Sequence, residues 1–407
     1  MIKLNYCKNC VYPENAVNLS FNNDGICSAC EALEYHSISN ENEFWHNRRL
    51  RFEKLVKNIK SKNTSNYDCL IPVSGGKDSY YQTHMMCKEY GLKPLLMTYH
   101  GNNFLEVADK NRDSMREVFD ADHIVWGPSV NVLKKLNKLT FKVMGDMNWQ
   151  NHCGIVSAPI QVAVNFKIPI IVWGETPWDV SGMHDIDDYV EFSARTRHEH
   201  ELRGYEWYDL IKYDSSLEEK DFIWAKYPSD KDILEVGVRG IYIGNYFKWE
   251  PNKHSELIKK SYGWREAEVP FERTYRRMSN LDDRYENGIH DLMKFVKFGY
   301  GRASDHASKD IRTKDMTRDE GIEMVKKYDS VVSSDLYHWL DYVDMSEDEF
   351  WNIADTFRDP RVWWIQDNKW YKDNIWGDPS SYGDINLDSA QIKKFNLRQK
   401  ELLNTKK

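Results

Sequence analysis

Residues 67–79 read YDCLIPVSGGKDS. Tyr67–Val73 is a short run rich in apolar and β-favouring residues, bounded by turn formers, and reads as a buried strand despite Pro72. Ser74-Gly75-Gly76 follows, a turn whose backbone can approach a ligand with no Cβ in the way. From Lys77 the spacing predicts a helix that runs to Tyr90 and stops at Gly91. A strand, a glycine turn and a helix N-terminus together converge free N–H groups and the positive end of the helix dipole on one point. The expected ligand is phosphate. The stretch lacks the G-x-x-x-x-G-K-[ST] spacing of a Walker A loop, because its lysine follows the glycines directly.

The pattern outward from this point alternates. Lys93–Tyr99 reads as a second strand, with a helix to about Val118 after the polar turn His100-Gly101-Asn102-Asn103. His123–Trp126 is a third strand, Pro128–Val143 a helix, Gly154–Phe166 another helix and Pro169–Trp173 a further apolar strand. Such alternation predicts a parallel, doubly wound α/β sheet whose ligands collect at the carboxyl ends of the strands. Those ends carry Ser74-Gly75-Gly76, Tyr99–Asn102, Gly127-Pro128 and Trp173-Gly174-Glu175. Glu41–Lys60 reads as a charged amphipathic helix, and the polar Ser61–Asn66 as a linker. Trp178–Asp232 reads as an insertion, either a substrate lid or a solvated segment whose Arg195, Arg197, His198, His200 and Arg203 offset Asp185, Asp187, Asp188 and Glu191. Beyond Glu250 the chain reads as mainly helical. The expected division is a module and linking helix over 1–60, the sheet domain over 61–250 and a helical region over 251–407.

Four of the seven cysteines form two pairs, Cys7-x-x-Cys10 and Cys27-x-x-Cys30, separated by sixteen residues. This lies within the spacing of about 15–20 residues used by four-thiolate zinc sites, which close the tetrahedron and leave no catalytic position. Cys69 and Cys87 read as small buried hydrophobes. Cys153, beside His152, reads as structural, with a thiol lowered by the imidazole as the alternative. A net charge of −8 argues against a nucleic-acid partner. No apolar run approaches the roughly 18 residues of a membrane span, and the N-terminus lacks an apolar signal region, so a cytoplasmic location is expected. Fifteen tryptophans and 24 tyrosines read chiefly as core. Lys294–His306, with Gly299 and Gly301 flanking Tyr300 and then Arg302, Asp305 and His306, reads as a loop that brings a cation, a carboxylate and a base to an anionic substrate. A plain helix–helix connection is the alternative.

Ser74-Gly75-Gly76-Lys77-Asp78-Ser79 resembles the S-G-G-x-D-S pyrophosphate loop (PP-loop) of the ATP pyrophosphatase superfamily. The resemblance implies an adenine nucleotide alpha hydrolase-like sheet, cleavage of ATP between its α and β phosphates, and Mg²⁺ held with the help of Asp78. Together with Cys7–Cys30, Thr98–Asn103, Gly145–Trp149, Trp173–Glu175 and Lys297–His306, the chain up to about residue 330 resembles the bacterial N-acetyl sugar amidotransferases of lipopolysaccharide O-antigen and pseudaminic or legionaminic acid pathways. That family resemblance implies adenylation of the acetamido oxygen of an N-acetyl sugar, free or nucleotide-linked, and displacement of AMP by ammonia to give an acetamidino group. It implies ATP contacts at Ser74, Gly75, Gly76, Lys77, Asp78, Ser79, Thr98 and Gly174. Catalytic roles fall to Lys77, Asp78, Arg302 and Asp305, and sugar contacts to His100, Asn102, Asn103, Glu175, Lys297 and His306, with structural zinc on Cys7, Cys10, Cys27 and Cys30. Met1-Ile2 offers no N-terminal nucleophilic cysteine, and no cysteine sits in a G-x-C-x-G elbow. Ammonia is therefore expected from a separate glutaminase and barrel subunit like the histidine-pathway pair. The alternatives are a tRNA-modifying PP-loop enzyme of thiolation or lysidine type, and a non-catalytic nucleotide-binding scaffold.

Overall fold

The structure, a computed structural model, describes residues 2–32, 41–62, 64–176 and 189–404. Asn63 of the expected linker and Asp185, Asp187 and Asp188 of the expected insertion lie outside the described residues.

Five parallel strands form the central sheet: β1 (Cys69–Pro72), β2 (Pro94–Tyr99), β3 (Asp122–Trp126), β4 (Ile170–Trp173) and β5 (Arg239–Tyr242). Their order is β3-β2-β1-β4-β5, with Cys69 opposite Pro94, Leu95 opposite Asp122, Leu70 opposite Ile171 and Ile170 opposite Arg239. The helices around them are α1 (Glu41–Lys62), α2 (Lys77–His84), α3 (Glu106–Phe119), α4 (Val130–Met144), α5 (Trp149–Asn165) and α6 (Pro251–Tyr262). Because strand side chains alternate faces, Cys69, Ile71, Leu96 and Val172 join one core with Phe52, Tyr80, Met115 and Ile258. Leu70, Leu95, Met97 and Ile171 join the other core with Leu136, Cys153, Ala158 and Val162. The sheet is thus covered on both faces, as the alternation predicts. The chain order reverses between β1 and β4, and the crevice above that point is where open α/β sheets bind ligands.

Three differences from the sequence reading have physical causes. Helix α5 begins at Trp149, not Gly154, because the Asp146 carboxylate accepts the Asn148 N–H at 2.9 Å and sets the turn that starts it. The insertion, as far as it is described, is not a solvated segment: Leu202, Leu210, Leu217, Phe222 and Trp224 are buried in the core that α5 shares. Arg197 there makes a two-pronged pair with Glu206 at 2.7 and 2.9 Å, so its charge is spent internally. Helix α2 passes into a π-turn over Met85–Glu89 before the chain reaches Gly91.

The C-terminal region contains α7 (Asn287–Phe298), α8 (Arg302–Arg312), α9 (Arg318–Tyr328), α10 (Asp335–Val343) and α11 (Glu347–Ala354). An antiparallel sheet follows, β6 (Trp363–Gln366), β7 (Lys369–Lys372) and β8 (Ser380–Asp384), and then α12 (Ser389–Asn404). Trp339, Trp363 and Trp370 are completely buried here, consistent with the reading of the aromatic residues as core. No helix among the described residues is long and apolar enough to cross a membrane.

Candidate functional site

The glycine turn sits at the carboxyl end of β1. Gly75 has φ of +82°, and a Cβ there would fall 2.6 Å from the Arg112 N and 2.7 Å from the Ala108 carbonyl. Only glycine fits, because α3 runs directly behind the loop. The indole of Trp264 donates to the Gly75 carbonyl at 2.9 Å, and the Ser79 hydroxyl to the Gly76 carbonyl at 2.9 Å. These bonds fix the turn while Gly76 opens α2. Lys77 Nζ lies 2.6 Å from Asp78 Oδ2, and Asp78 Oδ1 is buried with no partner. Burial works against the Asp78 charge, yet Lys77, Lys309 and His254 hold its carboxyl below the usual range.

Opposite the turn stands α8. Residues 302, 305, 306, 309 and 312 recur at helical spacing, and all five line a cavity of about 430 Å³ with Ser74, Gly76, Lys77 and Asp78. Arg276, on the segment before α7, lines it too and pairs with Asp310. Lys309 pairs with Glu175 at the end of β4. Burial, then the Lys77 charge, pushes the Lys309 ammonium down to about 7. Arg302 is 2.8 Å from Asp291, and Lys294 is 2.5 Å from Asp305. Burial disfavours both cations, but these carboxylates outweigh it and raise their pKa values. Burial, then the Arg276 and Arg302 charges, hold the His306 imidazole well below its ordinary range, and its Nδ1 is 2.6 Å from the Thr274 hydroxyl. The cleft therefore presents backbone N–H groups from one side and cationic side chains from the other, an arrangement for a polyanion.

Two further cavities adjoin this cleft. A crevice of about 360 Å³ lies over the strand ends, walled by Val73, Met97, Phe104 and Trp173 on one side and by Asp282, Asp283 and His290 on the other. Beneath it Glu286 is held by the amides of Asn103 and Gln150 at 3.3 and 3.0 Å and by that of Asn151. Burial raises its carboxyl to about 8, and burial plus the Glu286 charge raises Asp283 well above the carboxylate range. The other cavity, about 720 Å³, is reached past His290, Lys294 and Asp305. Its floor carries Asp146, paired with Arg203 at 2.6 Å and His290 at 3.3 Å, and Lys297, pushed down to about 8 by burial.

The four cysteines of the N-terminal pairs are buried, and their sulfurs lie within 4.8 Å of one another. Cys7–Cys30 and Cys10–Cys27 sulfur separations are 3.9 and 3.7 Å. A tetrahedron with metal–sulfur bonds of about 2.3 Å has edges of about 3.8 Å, so the cluster can hold a zinc ion. The N–H groups of Cys10 and Cys27 donate to Cys7 Sγ at 3.5 and 3.3 Å, and Arg318 of α9 donates to the Cys7 and Cys10 carbonyls at 3.1 Å each.

Among the residues singled out in the sequence, Ser74, Gly76, Lys77, Asp78, Ser79, Glu175, Arg302, Asp305 and His306 share the cleft. Lys297 lines the large cavity and Asn103 the crevice. Gly75 supports the loop from behind. Thr98 does not reach the cavities through its side chain: it is buried, with its hydroxyl on the Val73 carbonyl and 2.8 Å from His123, and Met97 lines the crevice instead. His100 is turned toward Asp109 at 3.6 Å, and Asn102 toward Tyr342 at 3.4 Å. Gly174 packs closely against the Gln82 amide and the Trp249 ring. Cys153 is structural: burial lifts its thiol to about 12, and His152 pairs with Glu201 instead. Lys309 and Arg312 went unread in the sequence, although continuing the helical spacing of Arg302, Asp305 and His306 leads to both.

Residues 272–375 match the family model described as "LPS biosynthesis protein WbpG-like, C-terminal domain". This stretch, about a quarter of the chain, runs from just before Arg276 through α7 and α8 to the end of β7, and so contains the cationic side of the cleft. It is similar to a domain of lipopolysaccharide-biosynthesis proteins. No curated protein matches the chain.

Proposed function

We propose that the protein is an ATP-dependent amidotransferase that activates the acetamido group of an N-acetyl sugar in cell-surface polysaccharide biosynthesis. The observation that carries the reading is the shared cleft: a glycine turn at a helix N-terminus facing Lys309, Arg276 and Arg302, with the unpartnered Asp78 oxygen between them. The lipopolysaccharide-related match over the cationic side supports the pathway. The crevice over the strand ends has the apolar wall that an adenosine needs, and the cleft has the charge that a pyrophosphate needs.

An amide carbonyl is a poor electrophile. In this reading its oxygen attacks the α-phosphorus of ATP, and the bond to pyrophosphate breaks. Backbone N–H groups of the turn and the Lys77, Lys309 and Arg276 cations stabilise the departing charge. Asp78, with its free oxygen, and Asp282 across the cleft are the residues that would hold Mg²⁺, which neutralises phosphate charge when bound. Arg302 lines both the crevice and the cleft, which is where the α-phosphate falls, and Asp291 fixes its guanidinium. Ammonia then attacks the activated carbon, its C–O bond to AMP breaks, and one proton leaves the nitrogen. The AMP phosphate, which gains negative charge as that bond breaks, is placed to take it. Ammonia would come from a separate glutaminase with a barrel subunit, so the purified chain alone is expected to use ammonium and not glutamine.

The test incubates the protein with ATP, Mg²⁺, ammonium and a panel of N-acetyl sugars, and reads the products by mass spectrometry. Replacement of oxygen by NH lowers the sugar mass by about one unit and adds a group charged at neutral pH. AMP must appear in step with it. Release of ADP, or no sugar-dependent AMP at all, overturns the reading.

A further inference from the structure

The large cavity has a wall from an unexpected source. Tyr12, Val17, Asn18 and Leu19, all from the loop between the two cysteine pairs, line it opposite the Asp146–Arg203 floor. The loop is pinned in place by residues that themselves line the cavity. Tyr12 Oη donates to Asp305 at 3.1 Å, the Asn15 amide to the Phe298 carbonyl at 2.7 Å, and the Val17 N–H to Tyr300 Oη at 3.0 Å. Asn18 adopts φ of +61°, a left-handed turn that Asn tolerates, at the rim of the cavity. The four-cysteine module is therefore part of the cleft's architecture and not a separate appendage.

We infer that Tyr12–Leu19 is the selecting wall for the acceptor, and that the cavity it closes takes an N-acylated sugar, free or carried on a nucleotide diphosphate. The inference rests on the proposed reaction and adds to it where the acceptor lies. Position supports it: the cavity shares Lys294, Asp305 and Glu175 with the phosphate cleft and His290 with the crevice, so a ligand in it borders the place where the α-phosphate falls. Its chemistry suits a sugar. Val17, Leu19 and Phe298 offer an apolar lip for C–H faces and an acyl methyl, while the ion-paired floor offers donors and acceptors for hydroxyls. At about 720 Å³ it is also the largest of the three cavities, and adenosine and pyrophosphate have the other two.

Two measurements test it. Val17 is 46% exposed, so Val17→Asp alters the cavity surface without disturbing a core. The variant is expected to keep its zinc content, melting temperature and KM for ATP, and to raise the KM for the acceptor by about tenfold. An unchanged acceptor KM overturns the inference even when the wild type makes the amidine. Independently of turnover, a maleimide probe on a Val17→Cys variant is expected to be blocked by N-acetylglucosamine or by UDP-N-acetylglucosamine. Protection by only one of them tells a free from a nucleotide-linked acceptor. Protection without sugar-dependent AMP keeps this site and overturns the proposed reaction, whereas turnover without protection does the reverse. If neither compound protects and no sugar in the panel turns over, both fall.

Discussion

The two sides of the phosphate cleft are built by different means. The sheet side, from β1 through the glycine turn to α2, works through its backbone: Gly75 leaves room for α3, and Gly76 opens the helix. The helical side works through side chains, with Arg302, Asp305, His306, Lys309 and Arg312 projected from one face of α8. A backbone site is shape-bound and tolerates little change at a few consecutive positions. A side-chain site is assembled by periodicity, so its members are spread along the chain and individually replaceable at graded cost.

That contrast can be broken or sharpened by experiment. The largest effect belongs to Asp78→Asn on the sheet side, which removes the carboxylate placed at the meeting of both sides; sugar-dependent pyrophosphate release should fall on the order of a thousandfold. A fall no greater than that of any single α8 variant would erase the distinction. Lys309→Met on the helical side should lower the rate roughly a hundredfold. It carries a second signature. With the Lys309 pKa at about 7, the amine is largely neutral at pH 8. ATP phosphates raise that pKa, so the wild type takes up a proton on binding, and Lys309→Met takes up fewer. Calorimetry in buffers of different ionisation heat reads this directly.

Smaller effects should follow outside the cleft. Cys27→Ser, or chelation, should release zinc measurable by elemental analysis and lower the melting temperature by several degrees, because the module docks on α8 and α9. ATP affinity should change less than acceptor affinity. The smallest effect is on Glu286, whose folded carboxyl is raised from 4.5 to about 8. The folded state holds that proton where the unfolded state does not, so the stability it contributes is complete below about pH 4.5 and is lost as pH rises through about 8. Glu286→Gln should flatten this slope, giving a melting temperature a few degrees above wild type at pH 8–9 and no gain at pH 4.5. Thermal melts across that range check it.

What the sequence made legible follows the same division. Val73–Ser79 could be read because a strand, a glycine turn and a helix N-terminus must be contiguous, and the cysteine pairs because four ligands in two knuckles need fixed spacing. The first four strands were equally plain, since Leu70 and Ile71 must face opposite cores, whereas the edge strand β5 went unread. Lys309 and Arg276 could not be placed the same way: their role depends on α8 and the segment before α7 being packed over β1, which no local pattern encodes. Leu202, Phe222 and Trp224 were masked by surrounding charges that turned out to pair among themselves, Arg197 with Glu206 above all. The short sheet β6–β8 escaped because its strands are four or five residues long and lie amid aromatic residues that suit a helix as well.

The grip of Arg318 on the Cys7 and Cys10 carbonyls joins residues 311 positions apart, and the Leu4 N–H donates to Asp373 across 369. During synthesis the loop with its four cysteines is made well before its docking partners on α8 and α9. It must wait, exposed, until they are made. The entropy of closing so long a loop grows only with the logarithm of its length, but the search slows as contacts become less local. A knot of four thiolates that can close around a metal by itself suits that interval, since it keeps the earlier-made segment compact until α8 and α9 arrive to seat it.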